Sequence, residues 1–264
     1  MSKEILHIWG PFSIQSYGLC MAIGILVASW LFLRDKRRES IISYDQFNKV
    51  ITFAIIIAIV GGRSLFLAEE SESITDFLGI FKIWEGGLSS LGAILSVLIF
   101  VPIYLNSLGV NFIRFFDLAA LYAPIIECIA RIGCFTAGCC FGMETSLPWA
   151  VLHKEYTSLG QTVYKYVHPT QIYSSIVALF IFILMQIVVQ KRLKKQGQLI
   201  AAYLMLTSLA RFSIDFLRGD RTYFDNTASF SSLSSSQLIS ILICLLSFIS
   251  IILIQIYSKK TKNK

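Results

Sequence analysis

The chain has 264 residues, of which 55% are hydrophobic and only 15% charged, and its mean hydropathy is +0.69. Those proportions exclude an ordinary soluble globular domain and fit a polytopic membrane protein built as one domain over residues 1–264. The formal charge of +7 does not point to nucleic acid, because the basic residues fall in short clusters between apolar runs, a pattern of membrane topology rather than of a binding groove.

Over Ser2–Trp9, the residues Ile5, Leu6 and Trp9 share one helical face, as in an amphipathic helix at a headgroup interface; a frayed terminus is the other reading. The apolar run from Ile14 to Leu33 is too long for a signal-peptide core and is followed by the basic cluster Arg34-Asp35-Lys36-Arg37-Arg38, so it is expected to stay as the first span. Seven segments approach the roughly 20 residues that a helix needs to cross hydrocarbon. They are Ser13–Leu33, Phe47–Leu67, Leu88–Tyr104, Phe115–Ile132, Ile172–Val189, Leu199–Leu217 and Leu238–Ile256. The predicted fold class is therefore an all-α polytopic membrane protein.

Basic clusters follow the first and fifth spans, the latter as Lys191-Arg192-Leu193-Lys194-Lys195, and the tail carries Lys259, Lys260, Lys262 and Lys264. With seven spans all three clusters share a side, which by the positive-inside rule puts the C-terminus in the cytoplasm and the N-terminus outside. Glu69-Glu70-Ser71-Glu72 and the long Gly133–Val167 segment are then external. Ser229–Ser236 reads as an external loop, with a helix starting near Ser236.

Polar groups within the spans require a partner or a function, because hydrocarbon does not hydrate them. Arg63 follows Gly61-Gly62 in the second span; Asp117, Glu127 and Arg131 lie on the fourth; Arg211, Asp215 and Arg218 lie on the sixth. Glu127/Arg131 and Arg211/Asp215 are each four apart and could be plain internal ion pairs. Taken together, Arg63, Arg131, Arg211 and Arg218 all fall near external span ends and outnumber the acids beside them. That surplus suits recognition of a phosphodiester.

Gly61, Gly62, Gly86, Gly87, Gly133, Gly138 and Gly142 read either as helix-packing positions or as breaks that turn backbone N–H groups toward an anion. His168-Pro169-Thr170-Gln171-Ile172-Tyr173 opens the fifth span, with His168 as a cap, a hydrogen-bonding group or a base. His7 and His153 have no comparable context. Cys20, Cys128 and Cys244 lie in spans as small apolar residues, whereas Cys134, Cys139 and Cys140 form a C-x4-C-C set. For these three a disulfide, plain packing and a nucleophilic thiol remain open. Zinc is not expected, because no Cys-x2-Cys or His pair completes four ligands.

In this order, Tyr17-Gly18, Gly61-Gly62-Arg63, Trp84-Glu85-Gly86-Gly87, Asp117, Arg131-Ile132-Gly133, the His168–Tyr173 run and Arg211 to Arg218 resemble the prolipoprotein diacylglyceryl transferases. The resemblance implies a seven-helix enzyme of the bacterial inner membrane that moves the diacylglyceryl group of phosphatidylglycerol onto the lipobox cysteine thiol of a prolipoprotein signal peptide. It implies no cofactor. Arg131 and Arg211 would hold the lipid phosphate with Arg63 and Arg218 in support. Tyr17 and His168 would orient or deprotonate the acceptor.

The chain departs from the family pattern at Leu91, where a histidine is usual, and at Cys134, Ala137 and Cys139, where asparagine, asparagine and glutamate are usual. Ser174 replaces a glutamate and Thr207 a tyrosine. The phosphate-holding half is kept and much of the acid–base half is not. One repair is a Cys134–Cys139 disulfide bracing the loop, with His168 or the acceptor's own ionisation giving the thiolate. The other makes Cys139 or Cys140 the nucleophile. Rival functions are a sister transferase with another acceptor and a non-catalytic lipid-binding protein.

Overall fold

The computed structural model describes residues 4–9, 12–69, 87–156, 162–221 and 233–262. It is mostly helical: α1 (Ser16–Arg34), α2 (Tyr44–Glu69), α3 (Ser90–Ser107), α4 (Phe112–Ala120), α5 (Ala123–Ala137), α6 (Thr170–Leu184), α7 (Gln190–Arg192), α8 (Gln198–Asp215) and α9 (Ser235–Lys262). A π-helical stretch, Met185–Val189, joins α6 to α7. Two-stranded sheets are formed by β1 (Glu4–Trp9) with β2 (Phe12–Gln15) and by β3 (Val151–Tyr156) with β4 (Thr162–Val167).

The strands correct the all-α expectation. An amphipathic helix over Ser2–Trp9 is not formed, since Glu4–Trp9 is a strand paired with Phe12–Gln15. β3 and β4 pair antiparallel with Leu152 opposite Tyr166 and Lys154 opposite Tyr164. Exposure alternates along β4 with the period of two that suits a half-exposed hairpin.

Five helical stretches are long and apolar enough to cross a bilayer: Ser16–Arg34, Tyr44–Glu69, Ser90–Ser107, Thr170–Arg192 and Ser235–Ser258. Their outer faces carry Leu98, Ile103, Ile176, Phe180, Leu242 and Phe248, all exposed. Apolar surface on that scale is at home in hydrocarbon and not in water. The chain is thus a multi-pass membrane protein.

The fourth expected span is broken rather than continuous, with α4 and α5 bent by 53°. Pro124 in the first turn of α5 has no N–H to continue the ladder, Ile125 N donates to Tyr122 O at 3.1 Å, and the carbonyl of Leu121 so left accepts from Gln186 Nε2 at 3.2 Å. The sixth, α8, has 18 residues but does not reach the apolarity of the others. Gln198, Ser208 and Asp215 on it are buried, and it packs on α6 and α9, so its polar groups meet protein.

The contacts divide the chain into two compact units, one of Met1–Leu6, Ile14–Phe32 and Phe116–Lys264 and one of His7–Ser13 and Leu33–Phe115. In the second, α2 and α3 cross where Gly61 meets Gly92. A Cβ at Gly92 would lie 2.4 Å from the Gly61 carbonyl oxygen, so only paired glycines allow this approach. Ser43 and Gln46 cap α2 reciprocally, the serine hydroxyl accepting from Gln46 N at 3.2 Å and the Gln46 amide accepting from Ser43 N at 3.1 Å.

In the first unit, α1 approaches α5 at Gly24, whose Cβ position is 3.2 Å from Ile126 Cα. Asp117 is buried, and its carboxylate accepts from Gly197 N at 2.5 Å and Ile200 N at 2.9 Å. It therefore caps the N-terminus of α8 from another helix, satisfying donors that the helix cannot satisfy itself. Asp117→Ala is expected to lower stability by about 1–3 kcal/mol through those orphaned donors, read as a lower melting temperature in detergent. An unchanged melt would show that the cap is dispensable. At α9, Ser234 and Gln237 form a second reciprocal cap, so the helix begins at Ser235, one residue before its expected start.

Candidate functional site

Three chain ends converge in the first unit. The segment leaving α5 runs beside the segment entering α6 and the one leaving α8: Gly142 N donates to His168 O at 2.9 Å, His168 N to Met143 O at 3.0 Å, Met143 N to Leu217 O at 2.9 Å and Gly219 N to Phe141 O at 3.2 Å. Gly142 is required for this crossing, since a Cβ there would lie 2.5 Å from His168 Cβ and 2.7 Å from Leu217 O. Gly142→Ala is expected to force these segments apart at a cost of about 1–3 kcal/mol, measured as a fall in melting temperature. A variant melting like the parent would show that the crossing yields freely.

Gly133 does the same for α1. Its Cβ position is 2.8 Å from Cys20 Cβ and 3.1 Å from Tyr17 Cα, so the missing side chain lets Tyr17 sit against α5 at the residue before Cys134. Tyr17 has Arg131, Cys134, Cys139 and Cys140 among its electrostatic neighbours. Gly138 ends α5 in the left-handed conformation, φ 73°, its N–H returning to the carbonyls of Cys134 and Phe135. Cys140 follows with φ 59°, uncommon for a side-chain-bearing residue.

The same unit holds a shallow open cleft lined by Glu127, Arg131, Ser174, Ala210, Arg211 and Ile214 among others. The two arginines come from α5 and α8. Each has an acid one turn away, yet the distances are 3.7 Å for Arg131 Nη2 to Glu127 Oε1 and 3.8 Å for Arg211 Nη2 to Asp215 Oδ1. These exceed hydrogen-bond length, so the ion pairs expected from the spacing exist but leave the guanidinium donors largely uncommitted. Among the described residues Arg131 makes no hydrogen bond, and Arg211 makes one, at 3.4 Å to Ser236 Oγ. The pair can present a forked donor set to an anion.

Arg218 is differently placed. Asp220 grips it at both ends, Nε to Oδ1 at 2.8 Å and Nη2 to Oδ2 at 2.6 Å, and this carboxylate raises the guanidinium pKa further. It lies electrostatically beside Cys140. The Cys140 thiol is held below its ordinary range by hydrogen bonding with Cys134 and Cys139, helped by Arg218 and Arg131.

The expected Cys134–Cys139 disulfide is not formed, as all six cysteines are free thiols. The loop is braced from α6 instead: Thr170 Oγ1 donates to Cys140 O at 2.7 Å and Gln171 Nε2 to Cys139 O at 2.6 Å. Two short, buried hydrogen bonds do what the covalent link was expected to do. The sulfur atoms of Cys134, Cys139 and Cys140 all lie within 4.8 Å of one another.

His168 stands in a hydrogen-bonded chain, its Nδ1 at 3.3 Å from Tyr173 Oη, which accepts from Trp149 Nε1 at 2.7 Å. Its backbone holds Gly142, so it is structural whatever else it does. His153 stacks on Phe141 with ring centres 3.8 Å apart.

The structure therefore brings together Tyr17, Arg131, Gly133, Gly138, Cys139, Gly142, His168, Arg211 and Arg218. Arg63 belongs to the second unit, donating to Gly87 O at 3.0 Å and lying over the Phe66 ring, while Gly87 has φ 75°. Gly86 lies outside the described residues. Sequence reasoning had not assigned the bracing roles of Thr170 and Gln171, although both sit in the run it singled out. It also missed Asp220, two residues from the arginine it clamps.

A family model described as prolipoprotein diacylglyceryl transferase matches residues 3–253. Among curated proteins, the phosphatidylglycerol–prolipoprotein diacylglyceryl transferase of Clostridium tetani is 32% identical over 244 residues, covering 91% of this chain and 93% of the relative. The one from Thermotoga maritima is 28% identical over 258 residues, covering 97% and 85%, and transferase 1 of Clostridium perfringens is 29% identical over 256 residues, covering 96% and 95%. With a match spanning nearly the whole chain and two arginines from separate helices facing one cleft, the chain belongs to the prolipoprotein diacylglyceryl transferase family.

Proposed function

We propose that this protein transfers the diacylglyceryl group of phosphatidylglycerol to the thiol of a lipobox cysteine in a prolipoprotein, with release of glycerol phosphate. The observation that carries the reading is the cleft shared by Arg131 and Arg211, whose guanidinium groups have only long ion pairs to Glu127 and Asp215. A thiolate attacking the glyceryl carbon makes the phosphate the leaving group, and two guanidinium groups stabilise the charge that develops on it. Arg218 supports that field. Tyr17 and His168 orient the acceptor.

Cys139 handles the acceptor thiol rather than attacking the lipid, because a thioether to the enzyme would be hard to reverse. The chain sits in the bacterial inner membrane with seven passes, N-terminus outside and C-terminus in the cytoplasm. The alternation of the basic clusters supports this orientation.

One observation favours a second reading, a sister transferase with the same donor and another acceptor. Ser174, at the place of the usual glutamate, lines the cleft but turns its hydroxyl onto Thr170 O at 2.8 Å, so it offers no base there. Incubation of the purified protein with phosphatidylglycerol and a lipobox peptide is expected to give a diacylglyceryl thioether by mass spectrometry. Glycerol phosphate released without modified peptide would establish the second reading. Release of neither product overturns both.

A further inference from the structure

Cys134, Cys139 and Cys140 come from positions that the sequence leaves five and one residues apart, and the fold gathers them into a single sulfur cluster. Their sulfur atoms lie within 4.8 Å of one another. In a tetrahedral zinc thiolate, with Zn–S of about 2.3 Å, neighbouring sulfurs are about 3.8 Å apart. The cluster therefore needs only small side-chain adjustments to close on one ion.

The backbone that creates it is held in an uncommon shape. Gly138 and Cys140 both have positive φ, 73° and 59°, and the buried Thr170 and Gln171 fix the carbonyls of Cys140 and Cys139. Left-handed backbone at a non-glycine residue costs free energy, and consecutive cysteines gathered at such a place mark a site whose surroundings enforce it. Cys134 is buried, Cys140 is half-buried and Cys139 is exposed, so the cluster is closed behind and open on one edge.

We propose that Cys134, Cys139 and Cys140 form a three-thiolate site for a divalent zinc-class cation, and that its open coordination position takes the acceptor thiol. Three protein ligands and one open position are the arrangement of a catalytic rather than a structural zinc site. The sequence spacing lacks a fourth ligand, and the chemistry calls for none. Three thiolates and a divalent ion carry one surplus negative charge, and Arg218 and Arg131 lie nearby to compensate it. Arg131 also lines the anion cleft, so the bound thiol and the lipid phosphate share a neighbour.

This inference rests on the proposed transfer. The acceptor thiol binds the metal and releases its proton to water. The metal-held thiolate then attacks the glyceryl carbon; a C–S bond forms, the C–O bond breaks, and its electron pair leaves on the phosphate oxygen of glycerol phosphate. The product thioether is neutral and a weaker ligand than a thiolate, so it departs while the ion stays. The metal thus replaces the acid–base groups absent at Ser174 and Thr207.

The test uses the full chain in detergent, reduced, stripped of metal and titrated with cadmium in the absence of lipid. One equivalent is expected to produce a sulfur-to-cadmium charge-transfer band and to protect three of the six cysteines from alkylation. Each of Cys134→Ser, Cys139→Ser and Cys140→Ser is expected to weaken binding by at least about tenfold, whereas Cys244→Ser leaves it unchanged. A lipobox peptide with its cysteine should intensify the band as a fourth thiolate binds, and the same peptide with serine should not.

No saturable cadmium binding, six thiols still alkylated at saturation, or a disulfide among the three cysteines of the unreduced native protein overturns the site. A band indifferent to the cysteine peptide, or equal thioether formation by zinc-loaded and zinc-free protein, overturns the acceptor role. Binding and peptide response without any product from phosphatidylglycerol uphold the inference and sink the proposed donor instead.

Discussion

Arg131→Ala is expected to lower diacylglyceryl transfer by about 10²–10³-fold while the protein remains folded. The loss follows from removing a forked donor from the place where phosphate charge develops. Retention of the fold follows from how little Arg131 does structurally, since its ion pair with Glu127 spans 3.7 Å, the side chain is partly exposed, and such pairs contribute at most about 1 kcal/mol. Arg131→Lys should recover only part of the activity, because an ammonium supplies charge without the planar fork.

Arg211→Ala should behave similarly. If both guanidinium groups hold one phosphate, the double variant will lose less than the sum of the two single losses on a free-energy scale. Transfer rates with phosphatidylglycerol at fixed acceptor peptide, together with melting temperatures, measure all four variants. Full activity of Arg131→Ala, or strict additivity, would remove the shared-phosphate assignment.

The largest stability effect is expected at Asp215. Its side chain is almost wholly buried at the end of α8, accepts from Ser234 Oγ, and faces both Arg211 Nη2 and Arg221 Nε at 3.8 Å. Arg221 is anchored further by Gln237 Oε1 at 2.8 Å, and Gln237 and Ser234 together start α9. Asp215 therefore ties the end of one helix to the beginning of the next through a network with little solvent to replace it.

Asp215→Ala removes the shared counter-ion of Arg211, a third of whose side chain is exposed, and of the more deeply buried Arg221. A destabilisation of about 3–5 kcal/mol is expected, seen as a large drop in the detergent melt. Asp215→Asn keeps an acceptor for Ser234 and should fall between the two. An alanine variant with an unaltered melt would show that Asp215 serves the site and not the fold.

Glu127/Arg131 and Arg211/Asp215 illustrate why spacing alone leaves function open. Four residues on a helix permit an ion pair, and both pairs do form. Whether such a pair is closed or stretched depends on what faces it from other helices. Here the stretch to 3.7 and 3.8 Å is what leaves donors for a ligand, and no periodicity encodes that distance.

The hydrophobic runs determined by themselves that this chain inhabits a membrane, because burial in hydrocarbon depends on composition and length, which are local. The ordered motifs from Tyr17 to Arg218 determined the family in the same way. The glycines at 133 and 142 were visible as residues but not as contacts, since the side chains they make room for come from α1 and from the chain around His168 and Leu217.

Tertiary structure alone decided the break between α4 and α5, the capping of α8 by Asp117 from 80 residues away, and the brace that stands where a disulfide was expected. It also decided that Cys134, Cys139 and Cys140 meet. A cysteine carries no local signal of its partners. Only the turn at Gly138 and Cys140, fixed by side chains of another helix, makes three separate thiols into one site.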